Sequence, residues 1–172
     1  MSSKIEPRAR RASEPGRTVL SCWAFCRVGD TLVLCTHGDR APSDEDIERY
    51  LQRLATPDFS AILLHTRGGH PTPKQRARIA EFWETCGRPI PHVAVLTDSV
   101  VARTVLTAMQ WIMRSLSIKA FSADEVPAAL QWLQADAPPF VVSETIAGMH
   151  AALRMSADQD GVRMVPRPPR AP

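Results

Sequence analysis

The sequence predicts an α/β fold: a mixed, mostly parallel sheet of about five strands with helices packed over it. Three observations point there. Two short apolar runs, Ala61–Thr66 and His92–Thr97, have the length and composition of strands buried on both faces, and each leads within a few residues to a helix start. An N-terminal pair of strand-like runs meets at Gly29-Asp30, a loop that suits a hairpin. Beyond the hairpin, strands and helices alternate, and right-handed crossovers then make the later strands mostly parallel.

The elements follow in order. Cys22–Val28 and Thr31–Thr36 are the arms of the hairpin. Ser43-Asp44-Glu45-Asp46 opens a helix with a hydroxyl cap and acids at its positive end. Ile47, Tyr50, Leu51 and Leu54 then make one apolar stripe. The run Ala61–Thr66 is the central strand, and Arg67-Gly68-Gly69-His70 the turn after it. Thr72 sits at the cap of the next helix, with Pro73 in its first turn and Gln75 three residues on. Its buried side is Ile79, Ala80, Trp83 and Cys86, and Gly87 and Pro89 stop it.

After His92–Thr97, Asp98 or Ser99 caps a helix running to about Ser117. Arg103, Thr107, Gln110 and Arg114 form its one polar stripe, which leaves an apolar arc of roughly 240°. A helix on one sheet face needs about half of that, so either the C-terminal helix or a partner chain must cover the rest. Ile118–Phe121 is the last strand, and a helix follows from about Asp124, since Pro127 is tolerated only in a first turn. Its buried face is Val126, Ala129, Leu130 and Leu133. Pro138-Pro139 separates this core from a last amphipathic helix, Ser143 to about Met155.

At 172 residues the chain holds one domain with tails. Residues 1–17 are expected to be a disordered basic tail, 18–136 the α/β domain, 137–157 a helix packing on it, and 158–172 a disordered tail rich in Pro and Arg. Arg10-Arg11-Ala12-Ser13 has the form of a basophilic kinase site. Net charge is +3, yet residues 18–157 carry 13 basic and 14 acidic side chains, so the basic character belongs to the tails. That argues against a nucleic-acid-binding face on the domain. The apolar segment Val100–Leu116 contains Arg103, Gln110 and Arg114, which argues against a membrane span. No apolar core follows the first arginines, so the reading is a cytoplasmic protein. Its four cysteines, without CxxC spacing, are expected to be reduced, buried and apolar in role.

The order of elements over about residues 20–134 resembles a STAS domain, the fold of bacterial anti-sigma-factor antagonists. It is most similar to the variant grouped with STAS-like and CRAL-TRIO-like small domains. The residues that carry the resemblance are His92-Val-Ala-Val-Leu-Thr-Asp-Ser99 leading into a helix, and Lys119-Ala-Phe121 through Ala129-Leu-Gln-Trp-Leu133. The resemblance implies a non-enzymatic regulator that binds a protein such as an anti-sigma kinase, with no cofactor. It also implies a Ser or Thr phosphorylated at the start of the helix after the central strand. Thr72 is the hydroxyl at that place, in His70-Pro71-Thr72-Pro73, without the family's preceding Asp or following Gly. A phosphate there would meet the free N–H groups of the helix, with Lys74 and Arg76 nearby. As a plain N-cap, Thr72 is worth about 1 kcal/mol.

The protein-binding surface implied is the pair of helix starts: Arg67, Gly68, Gly69, His70, Thr72 and Lys74 on one, Asp98, Ser99 and Arg103 on the other. Two other classes stand beside it. One is a carrier holding a small apolar ligand or lipid beneath helix 99–117, against Val101, Val105, Met109, Trp111 and Met113. The other is a metal-dependent enzyme using Cys35, His37, His65 and His70, which lie at the ends of neighbouring strands without zinc-motif spacing. The turn Arg67-Gly68-Gly69 lacks the GxxxxGK[ST] pattern of a nucleotide loop, and no nucleophile elbow is present. The wide apolar arc of helix 99–117 also suggests a homodimer through that helix.

Overall fold

The computed structural model describes residues 18–19, 22–55, 59–87, 89–112 and 117–163, with backbone alone for 18, 108–112 and 158–163. These residues form a six-stranded sheet whose strands lie side by side in chain order. Thr18–Val19 (β1) and Leu32–His37 (β3) each pair antiparallel with Trp23–Val28 (β2), which lies between them. Ala61–Thr66 (β4), His92–Leu96 (β5) and Ile118–Phe121 (β6) then add in parallel to β3. This is the mixed, mostly parallel α/β sheet expected, enlarged by β1, a two-residue edge strand that periodicity is too short to reveal. The hairpin loop is three residues, Gly29 to Thr31, because the register pairs Val28 with Leu32; Gly29 turns the chain at φ +63°.

Asp44–Leu54 (α1), Pro73–Thr85 (α2), Val100–Ile112 (α3), Val126–Leu133 (α4) and Pro139–Arg163 (α5) complete the fold. Strand side chains alternate between two cores. On one face Ala24, Leu34, Leu63 and Leu96 meet Leu130 of α4 and Val142, Ile146 and Met149 of α5. On the other, Phe25, Cys35, Ile62 and Val95 meet Ile47 and Leu51 of α1 and Trp83 of α2. Leu106 of α3 packs against this second core.

Two expectations are corrected here. The last helix begins at Pro139 rather than Ser143 and continues to Arg163, taking in residues 158–163 of the expected tail. A proline is tolerated in a first helical turn, so Pro138-Pro139 starts the helix, and no further proline stops it before Pro166. The C-terminal helix also cannot cover the outer side of α3, because α5 lies on the opposite face of the sheet. Val100 and Val101 of α3 are accordingly 76% and 60% exposed. Residues 113–116 of the expected helix 99–117, Arg114 among them, and the tails 1–17 and 164–172 lie outside the described residues.

Candidate functional site

The chain leaves β4 and β5 at the same edge of the sheet, and the loops it makes there lead into α2 and α3. In a sheet of this kind that edge is where ligands and partners are usually met. The β4–α2 turn is fixed by a shared acceptor: the Gly68 carbonyl accepts from Thr66 Oγ1 and from His37 Nδ1, both at 3.0 Å. Gly69 then turns at φ +59°, with its α-carbon so close to the 38–40 loop that a Cβ would lie 2.4 Å from the Arg40 carbonyl oxygen.

Thr72 caps α2, as its spacing predicts: its hydroxyl accepts from the Gln75 N–H at 3.3 Å, and Gln75 Oε1 accepts from the Thr72 N–H at 2.9 Å. Buried Gln75 also donates to the Pro42 carbonyl at 3.0 Å and to Asp44 Oδ1 at 2.9 Å, joining the starts of α1 and α2. The bonds from Gln75 and Lys74 hold the Asp44 carboxyl below its usual range. Of the cations near Thr72, Arg76 donates to the Pro71 carbonyl at 2.7 Å and Lys74 lies 3.3 Å from Asp44.

At the second loop Ser99 is the cap, its hydroxyl accepting from the Ala102 N–H at 3.2 Å. Asp98 accepts instead from the Ala123 N–H at 3.1 Å. Arg103 donates to the Thr97 carbonyl at 3.1 Å and to the Ser122 hydroxyl at 3.0 Å. Asp98 and Arg103 thus tie the loop before α4 to the start of α3. The two helix starts share an edge, with Thr72, Lys74, Asp98, Val100 and Val101 exposed along it.

The four candidate metal ligands do not converge. Strand alternation sends Cys35 and His37 to the face carrying Trp23 and Tyr50, and His65 to the face carrying α5. The Cys35 thiol is fully buried, which pushes its pKa well above the ordinary value and keeps it protonated. His65 pairs with His150 of α5, Nδ1 to Nε2, at 2.7 Å. Burial pushes His150 down to about 4, helped by His65, Arg67 and Arg154, and lowers His65 as well. Among the described residues no group of three or more His, Cys, Asp or Glu could hold a metal ion.

Beneath α2 and α3 lies a cavity of about 120 Å³, its wall almost wholly apolar, between those helices and β4 and β5. Val105 lines it, with Ala102 and Leu106. Val101 does not, because a one-residue step from Ala102 turns it outward to 60% exposure. Met109 and Trp111 fall where only the α3 backbone is described, and Met113 lies outside the described residues. Trp23, Tyr50 and His37 also meet at the cavity, with Trp23 rings 4.2 Å from His37 and 4.5 Å from Tyr50. Sequence reasoning missed Trp23 and His150. The one signal for each was a polar-edged ring at an inward position of an otherwise apolar strand or helix stripe.

The model of the family described as SpoIIAA-like matches residues 33–134, from β3 through α4. The chain belongs to the SpoIIAA-like family. This is the anti-sigma-factor-antagonist fold that the element order resembles, and its span includes both helix starts and the cavity's α2 and α3 walls. β1, β2 and α5 lie outside the matched span. No curated protein and no solved structure matches the chain. Among the described residues no helix is long and apolar enough to cross a membrane.

Proposed function

We propose that this protein is a non-enzymatic, cytoplasmic regulatory module that binds a signalling protein, such as an anti-sigma kinase, through the edge carrying the starts of α2 and α3. The observation that carries the reading is Val100 and Val101, exposed at 76% and 60% beside exposed Thr72, Lys74 and Asp98, on a SpoIIAA-like domain. Adjacent apolar side chains with a polar rim are the composition of a protein contact. Arg67, Gly68, Gly69, His70, Ser99 and Arg103 hold or border this edge. The same exposure on α3 supports a homodimer as one form of the contact.

Thr72 is the proposed switch. A phosphate on this exposed hydroxyl would sit at the N-terminus of α2 and would replace the cap it now makes with the Gln75 N–H. Native mass spectrometry of protein from its own host, before and after phosphatase, tests this: a one-phosphate step localised to Thr72 is expected. A photo-crosslinking residue at Val101 tests the surface. It is expected to trap a partner of defined mass that the same residue at exposed Gln52 of α1 does not trap; equal trapping at both positions removes the reading.

A second reading, a carrier of a small ligand, is favoured by the apolar cavity beneath α3. Uptake of an apolar probe in solution tests it.

A further inference from the structure

The cavity beneath α2 and α3 limits the size, charge and shape of what it can hold. Its volume is about 120 Å³. An apolar cavity of roughly 150 Å³ stays free of water and takes up benzene. This one therefore has room for a single ring and little more. A lipid acyl chain or a fused pair of rings needs more space than it offers.

Charge is limited by the wall. Ile62, Val95, Val105 and Leu106 contribute to it, and nearly all of the lining surface is apolar. His37 also lines the cavity, and burial lowers its pKa to about 4, so near pH 7 its ring is uncharged. Arg76, half-buried in the first turn of α2 at one end of the lining, donates to the Pro71 carbonyl at 2.7 Å. An ionised ligand set against such a wall would lose its hydration with little to replace it.

Shape follows from the aromatic side chains. Trp23, Tyr50 and Trp83 line the cavity and are buried, and the rings of Trp23 and Tyr50 stack with centroids 4.5 Å apart. Aromatic neighbours favour a further ring, edge-to-face or offset-stacked, beyond the area that it buries. We propose that the cavity is a binding site for an uncharged, single-ring aromatic compound. The proposal rests on the carrier reading and names its ligand chemistry.

Nuclear magnetic resonance titration of the full chain with benzene, cyclohexane, decanol and benzoate tests it. Benzene is expected to bind, with nuclear Overhauser contacts to the methyl groups of Ile62 and Val95, each 1% exposed and so reachable only from within the cavity. Transfer from water favours cyclohexane and decanol over benzene, because each carries more aliphatic surface. The cavity should reverse that order, with benzene at least as tight as cyclohexane and about tenfold tighter than decanol. Benzoate should not bind. Cyclohexane or decanol binding more tightly than benzene, or benzoate binding as tightly, overturns the single-ring aromatic inference and leaves the carrier reading standing. Benzene contacts that miss both Ile62 and Val95 overturn it too. Failure of every probe to bind removes the carrier reading and the inference together.

Discussion

At Gly69 the β4–α2 turn has room for no side chain. A Cβ would fall 2.4 Å from the Arg40 carbonyl oxygen and 2.6 Å from His37 Cε1, on a backbone already at φ +59°. Gly69→Ala is therefore expected to destabilise the fold by about 2–4 kcal/mol through backbone strain and displacement of the 38–40 loop. Gly29→Ala, at φ +63° with nothing within 4 Å, should lose only about 1 kcal/mol, so the two urea midpoints isolate the contact from the conformation. Thr72 makes a second residue-scale test. Thr72→Ala removes one acceptor from the α2 terminus and should cost about 1 kcal/mol. Thr72→Ser should restore it. A Thr72→Ala variant as stable as the native chain would show that the Gln75 side of the cap suffices alone.

At the scale of elements, α5 is held to the sheet by Val142, Ile146, Met149 and Leu153, and by a polar contact of His150 with His65. That contact needs both rings neutral or one shared proton. Burial resists charging, and Arg67 and Arg154 resist it further, while Asp98 and Asp39 only partly offset them. The sign follows directly. Unfolded imidazoles titrate near 6.5, whereas His150 and His37 do so at about 4 in the fold, so between those values the unfolded chain binds more protons. Stability should then fall as pH drops from 7 toward 4, visible as a declining urea midpoint. His150→Leu should be less stable at pH 7, because His65 loses its partner, yet show a shallower decline; an unchanged slope would place the pH sensitivity elsewhere. The beginning of α5 was hidden in the sequence because Pro138-Pro139 reads equally as a break and as a helix start.

For the whole molecule, the alternation of strands and helices was legible because each element carries its own period and its own stop and start residues. Ser43 and Thr72 each cap where their spacing places them, and of Asp98 and Ser99, both open in the sequence, it is Ser99 that caps α3. The partition of helices between the two sheet faces was not legible, since nothing local tells α5 to lie opposite α3. The same limit made Cys35, His37, His65 and His70 look like neighbours: the strands are adjacent, but the parity that sends His65 to α5 and His37 to Trp23 depends on register. Trp23, His37 and Tyr50 come together from three elements, and no single stretch announces them. The edge bearing Thr72 and Asp98 was readable, because strand-to-helix loops at one sheet edge follow from topology alone.

That edge, with Val100 and Val101 exposed on it, is the part of the molecule on which the proposed function depends. Affinity capture from the native host with the full chain and with a Val100→Asp, Val101→Asp variant tests it most directly. Both valines are exposed, so the variant should unfold at an unchanged temperature. The expected result is one stoichiometric partner, held by the native chain and lost by the variant. A partner captured equally by both proteins would contradict the assignment of this edge as the binding surface.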